Sequence, residues 1–230
     1  VRVLYEDNHL LVVDKPCGMA TMGTTEGPTA YTWAADYLKR KYNKPGKVFV
    51  GIVSRLDTFT SGVLVLARTS KSASRLAEQF RNSETEKTYL AVVEGELPLG
   101  RQRLVDWVRK DDAAHRMRCV GESASGAQQA TLQLEALRSY SGRTLVRVRL
   151  ETGRKHQIRV QLASRGHAVW GDRKYGATTK MPIGIALHSF RLQLNHPTLR
   201  DRRTFGSDPP SSWRALGVTA ADYADANARR

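Results

Sequence analysis

Cysteine is scarce in this chain, with 2 in 230 residues. Cys17 and Cys119 stand far apart and match no paired ligand spacing, which argues against a zinc ribbon and a disulfide-stapled scaffold. None of the 6 histidines (His9, His115, His156, His167, His188, His196) falls in an H-x-E or H-E-x-x-H pattern, so zinc deaminase and zinc protease chemistry lack support. No metal is expected. No apolar run approaches the about 18 residues a spanning helix needs, and the first residues lack the basic, apolar, small order of a secretory signal. The expectation is a cytoplasmic protein without a membrane partner. Acidic residues are also few, 22 against 37 Lys and Arg, for a net charge of +15. Such a surplus draws polyanions and points to a nucleic acid. No Gly-rich phosphate loop, RNP aromatic motif or zinc finger accompanies it. Hydrophobic residues at 40% are enough for a sizeable core and too many for a disordered chain.

The first elements read as sheet. Residues 2–13 suggest two short strands around Glu6-Asp7-Asn8-His9, closed by Asp14-Lys15-Pro16-Cys17-Gly18. Ala30, Trp33, Ala34, Tyr37 and Leu38 then recur at helical spacing, with Thr29 placed to cap the first turn. After the turn Asn43-Lys44-Pro45-Gly46, Val48–Val53 starts a new apolar stretch. Val63–Ala67 is a continuous apolar run, as for a strand buried on both faces. Ser70 is the expected cap of a helix whose core face is Ala73, Leu76, Ala77 and Phe80. In the next strand Lys87 and Tyr89 share a face by alternation. Residues 101–129, polar and basic, read as a hairpin with a long tip.

Leu132, Leu134 and Ala136, then Val146, Val148 and Leu150, alternate with polar residues about the turn Ser141-Gly142, which predicts two paired antiparallel strands. Residues 154–165 fit either period, and Gly166 as terminator favours a helix. The stretch 200–230 reads as a loosely packed tail with at most one short helix. With no repeat, linker or composition boundary, one α+β domain is expected over 1–199.

Arg55-Leu56-Asp57-Thr58-x-Thr60-Ser61-Gly62 lies in a loop just ahead of the apolar strand and sets one carboxylate between a cation and several hydroxyls. A lone loop aspartate ordinarily makes a cap or turn. It is joined, however, by Lys87-Thr88-Tyr89 and by Thr152-Gly153-Arg154-Lys155-His156-Gln157-Ile158-Arg159-Val160-Gln161-Leu162. Leu11-Val12-Val13-x-Lys15-Pro16-x-Gly18, Gly171-Asp172-x-x-Tyr175-Gly176, Leu187-His188-x-x-x-Leu192 and His196-Pro197 complete the set. Together these blocks, in this order from about residue 3 to 197, resemble the RluA-type pseudouridine synthases.

The resemblance covers a catalytic domain alone, the S4-like module of some relatives being either lacking or trimmed away, and it implies a fold built on a large mixed, mainly antiparallel sheet flanked by helices with a central cleft. It implies isomerisation of uridine to pseudouridine in ribosomal or transfer RNA without cofactor or metal, by a monomer. Asp57 would be the catalytic carboxylate, attacking the sugar or assisting glycal formation, for the reason carboxylates serve glycoside cleavage. Arg159 would pair with Asp57 and keep it ionised. Tyr89 would stack on the uracil and accept or relay its C5 proton. Arg55 would fill the gap left by the flipped base. Lys87, Arg154, Lys155 and His156 would contact RNA at the rim.

Without the resemblance, Arg159 reads as a surface arginine, Tyr89 as a core tyrosine and Arg55 as a phosphate contact. Ser54 departs from the histidine common in the family and points to altered substrate handling. Selectivity is expected in the hairpin around 101–118 and the loop 19–28. Two other readings stand beside the enzyme. A catalytically silent RNA-binding or ribosome-assembly factor would keep affinity without product. A metal-dependent nuclease would have only Asp111-Asp112 as an adjacent acidic pair.

Overall fold

The computed structural model describes residues 1–23 and 27–224. Its strands are β1 (Arg2–Glu6), β2 (Leu10–Lys15), β3 (Gly51–Ile52), β4 (Ser61–Ala67), β5 (Glu86–Glu94), β6 (Gly100–Asp111), β7 (Arg116–Val120), β8 (Gln128–Tyr140), β9 (Arg143–Leu150), β10 (Leu187–Asn195) and β11 (Arg202–Gly206). The helices are α1 (Ala30–Lys41), α2 (Ser70–Arg81), α3 (Gln157–Ala163) and α4 (Ala220–Tyr223). The strands hydrogen-bond into one large sheet in the order β1-β2-β4-β10-β5-β9-β8-β6-β7, with β3 on β4 and β11 on β10. This is the α+β class the sequence predicts. The chain also clusters into two compact units, Val1–Lys87 with Ser189–Ser207, and Thr88–His188 with Asp208–Arg230.

In the first unit β2 and β4 pair antiparallel from Leu10 with Ala67 to Lys15 with Gly62. β4 is buried along its whole length, as its unbroken apolar run requires. Leu10, Val12, Val63 and Val65 form a core with Leu76 of α2 and Leu192, Leu194 and Phe205. Thr29 caps α1 through a reciprocal capping box with Thr32. The cap of α2 is Thr69, one residue earlier than predicted: its side chain accepts from the Ser72 N–H, and Ser70 is the first helical residue. Only Gly51 and Ile52 of the Val48–Val53 stretch form a strand. Gly62 carries φ +108°, and a Cβ there would collide with the Ser189 backbone, so the first residues of β4 lie close against β10 because glycine stands at 62.

In the second unit β8 and β9 pair antiparallel across Ser141-Gly142, which both take positive φ (49° and 72°) as a two-residue hairpin turn demands. β6 pairs with β8 on one side and β7 on the other. One face of these strands packs Leu132, Leu134, Val146 and Val148 against Ile158 and Leu162 of α3. The opposite face carries their polar positions. The basic hairpin is β6–β7, and its tip is short, running only from Asp112 to His115 between the strands. Residues 121–127 then lead into β8 rather than extending that tip.

The stretch read as a loose tail is packed as far as it is described. β11 pairs with β10 through Arg202–Gly206, and Trp213, Leu216, Val218 and Tyr223 are buried. Arg138 pairs with Asp222 at 2.9 Å, and Arg147 donates to the Tyr223 carbonyl at 3.0 Å. Isolated anchors among Pro, Arg and Ala give no periodic signal, which is why the tail looked loose. Residues 24–26 of the loop 19–28, and residues 225–230, lie outside the described residues.

Candidate active site

Asp57 stands half-buried in the loop between β3 and β4, and the backbone on both sides of it is pinned. Before it, the Thr21 hydroxyl donates to the Leu56 carbonyl (2.8 Å) and accepts from the Leu56 N–H (3.1 Å). After it, the Thr60 N–H donates to the Asp57 carbonyl at 3.0 Å and closes a turn. The Thr58 carbonyl accepts from the Gly18 N–H (2.9 Å) and from Lys15 Nζ (3.4 Å). Cys17 Sγ donates to the Phe59 carbonyl at 3.0 Å. The segment Lys15–Thr21 therefore holds the Asp57 loop by main-chain contacts, which fix its path whatever the side chains of Thr58 and Phe59.

Lys15 is 0% exposed. Its ammonium also donates to the carbonyls of Met19 (2.6 Å) and Pro16 (3.1 Å). Burial pulls its pKa down to about 8, against the charges of Cys17 and Asp57, which hold it up. A cation that senses Asp57 thus sits beneath the loop. Arg55 is exposed, in keeping with a nucleic-acid contact. Lys87, in β5, is half-buried, and desolvation lowers its pKa.

In the second unit Tyr89 is partly buried against the core cluster that contains Ile158 of α3. Arg159 is not a surface residue. It is 4% exposed and grips Asp172, itself 1% exposed, with Nε on Oδ2 at 2.6 Å and Nη2 on Oδ1 at 2.8 Å. This fork fixes the plane and direction of the guanidinium. The guanidinium lies over the Tyr175 ring, 4.9 Å from its centroid. The Tyr175 hydroxyl accepts from the Met117 N–H (2.9 Å) and shares a hydrogen bond with His156 Nδ1 (2.8 Å).

The segment Thr152–Gln161 owes its path to two buried glutamines. Gln157 accepts from the Thr152 hydroxyl (2.8 Å) and the Arg154 N–H (2.9 Å) and donates to the Thr131 carbonyl (3.0 Å). Gln161 donates to Asp106 (2.7 Å) and to the Ala130 carbonyl (3.1 Å). His156, at φ 52°, turns the chain into α3, and its half-buried ring shares a hydrogen bond with the Tyr175 hydroxyl through Nδ1. Arg154 and Lys155 are exposed, with Arg154 Nε resting on the Gln129 carbonyl at 2.9 Å.

The structure thus brings Arg159 and His156 together on Tyr175, sets Tyr89 and α3 on one core cluster, and leaves Arg55, Arg154 and Lys155 at the surface. The sequence reading gave no role to Lys15, Thr21, Gln157, Asp172 or Tyr175. Most of them lay inside the quoted blocks, which was the available signal; their roles come from partners distant in the chain.

Residues 9–164 match the family model described as RNA pseudouridylate synthase. The chain is 35% identical over 198 residues to an uncharacterized RNA pseudouridine synthase, YhcT, of Bacillus subtilis, covering 85% of this chain and 64% of that protein. It is 33% identical over 229 residues to ribosomal large subunit pseudouridine synthase D of Nitrosomonas europaea, covering 94% of this chain and 64% of that protein. It therefore spans somewhat under two thirds of the length of these relatives. Among solved structures, human RNA pseudouridylate synthase domain containing 4 superposes with a TM-score of 0.78 at 25% identity, over 94% of this chain and 93% of that one.

Proposed function

Because the chain belongs to the RNA pseudouridylate synthase family, we propose that it isomerises uridine to pseudouridine in structured RNA, with ribosomal RNA favoured over transfer RNA by the names of its relatives. In this reaction the N1–C1′ bond breaks, the uracil turns, C5 bonds to C1′, the C5 proton leaves and N1 gains one. Atoms and charge balance with no external oxidant or co-reactant. The one group the chemistry requires is a carboxylate able to meet an electron-poor C1′.

Asp57 is that group. The observation that carries the reading is its setting: a half-buried carboxylate in a loop clamped by Thr21 on one side and by Lys15 and Gly18 on the other. Preorganisation of this kind supports a group that must meet a bond without first being ordered. Tyr89 is assigned to the uracil face and the C5 proton, and Arg159 to pairing with the Asp57 carboxylate and aiming it, with its own orientation set by Asp172. Arg55, Lys87, Arg154 and Lys155 are assigned to RNA, Arg55 in the gap left by the flipped base. His156 joins them, its ring steadied by the Tyr175 hydroxyl at Nδ1. Cytoplasmic residence and a monomeric state complete the reading.

The experiment is carbodiimide treatment and primer extension on ribosomal RNA, taken from cells lacking the protein and incubated with it. The wild-type protein is expected to create new stops and Asp57→Asn to create none while keeping its RNA affinity. New stops at the wild-type rate with Asp57→Asn would refute the role of Asp57. No stops with either protein, on any RNA, would leave the silent RNA-binding reading in its place.

A further inference from the structure

The polar face of the second unit's sheet carries a groove of about 420 Å³ lined by Thr88, Arg101, Arg103, Gln133, Glu135, Arg147 and Arg149 among others. Thr88 precedes Tyr89 on β5, so the two side chains point to opposite faces of the strand. Tyr89 packs on the α3 side, in the core cluster with Leu134, Val148 and Ile158. The groove is therefore on the face turned away from Tyr89 and has no part in the site described above.

We propose that this groove is a second RNA-binding surface, taking the phosphate backbone of a strand of the substrate. Its arginines sit two residues apart on β6 (Arg101 and Arg103) and on β9 (Arg147 and Arg149), a step of about 6.8 Å along each strand. Carboxylates hold three of these side chains, Arg101, Arg103 and Arg147, in place. Glu135 accepts from Arg101 Nε and Arg147 Nη1, each at 3.0 Å, and Glu151 accepts a fork from Arg103 through Nε (3.0 Å) and Nη2 (2.7 Å). Gln133 donates to Glu151 at 3.0 Å, which fixes the carboxylate in turn. With a further bond from Arg103 Nε to Glu151 Oε2 at 3.1 Å, these are the hydrogen bonds of Arg101 and Arg103 among the described residues, which leaves both amino groups of Arg101 and the Nη1 group of Arg103, two residues that line the groove, with donors to spare. Ordering exposed guanidinium groups ahead of binding lowers the entropy an anion must overcome. Four arginines against two glutamates leave the groove positive. No aromatic side chain lines it, and its one aliphatic lining residue, Leu134, is only 2% exposed, so it offers little of the apolar centre that protein partners use. The occupant that fits is a flexible polyanion.

The proposal rests on RNA being the substrate, and its test reads binding rather than product. A fluorescent oligouridylate is titrated with wild-type protein, with Arg101→Gln/Arg103→Gln, and with Lys39→Gln/Arg40→Gln, which removes two exposed charges from α1 instead. The groove variant is expected to bind about tenfold more weakly, with the slope of log affinity against log salt reduced by about 1.4, or about 0.7 per lost phosphate contact. The α1 variant should stay near wild type. Wild-type affinity and slope in the groove variant would overturn the proposal, as would an equal loss in the α1 variant, which would mark a general effect of net charge. If the wild-type protein makes no pseudouridine yet the groove variant binds weakly, the activity reading fails and the groove stands.

Discussion

Lys15 gives the sharpest quantitative test of how the Asp57 loop is built. A drop of its pKa from 10.5 to about 8 corresponds to about 3 kcal/mol, at about 1.4 kcal/mol per pH unit, spent on keeping a charge inside the protein. Between these two values the unfolded chain holds a proton that the folded chain has released. Folding stability must therefore rise with pH across that window, by about 3 kcal/mol in full, and stay flat below it. Other groups titrate there too, so the quantity to measure is a difference. Urea unfolding of the wild-type protein and of Lys15→Met, which fills similar space and does not titrate, would be followed from neutral pH to about 10.5. The wild type should gain on the variant steadily above about pH 8. A constant gap across the range would show that Lys15 is not a buried cation and would refute the reasoning. Since Lys15→Met also removes a donor from the Thr58 carbonyl, turnover should fall more than RNA affinity.

Three further outcomes follow from contacts described above. Asp172→Asn breaks the fork that holds the buried Arg159 guanidinium and removes one of the charges facing it, so urea unfolding should show a loss of about 3–5 kcal/mol; a loss under 1 kcal/mol would mean the fork matters little. Gly62→Ala combines a positive φ with a collision against Ser189, and unfolding should register a loss of about 3 kcal/mol or more, where an unchanged midpoint would show that the strand can shift to make room. Tyr175→Phe strips the acceptor from the buried Met117 N–H; a loss of about 1–3 kcal/mol is expected, with faster hydrogen exchange at that amide as the independent readout.

What could be read from the sequence was what a local period or a contiguous block encodes. The alternation of Leu132 to Leu150 gave β8 and β9, the spacing from Ala30 gave α1, and the unbroken run at 63–67 gave the fully buried β4. The block around Asp57 was legible because its residues are neighbours. Roles that depend on distant partners were not. Arg159 on α3 looks amphipathic and exposed until Asp172 removes it from solvent. Lys15 looks like an ordinary strand-end lysine until the carbonyls of Met19 and Thr58 close over it. The tail failed for the same reason, because Trp213 and Tyr223 are single anchors without a period. The cap of α2 fell one residue early because Thr69 and Ser70 are chemically equivalent as caps and only the backbone conformation separates them.

The proposed reaction moves the bond on uracil from N1 to C5, with Asp57 proposed as the group that makes this possible. Because C5 must surrender its hydrogen, the direct measurement is release of tritium to water from ribosomal RNA transcripts carrying uridine tritiated at C5, under single-turnover conditions. Release in proportion to modified sites with the wild-type protein, and none above background with Asp57→Asn, is the predicted result. Equal release by both proteins, or none by the wild type on transcripts that it demonstrably binds, would contradict it.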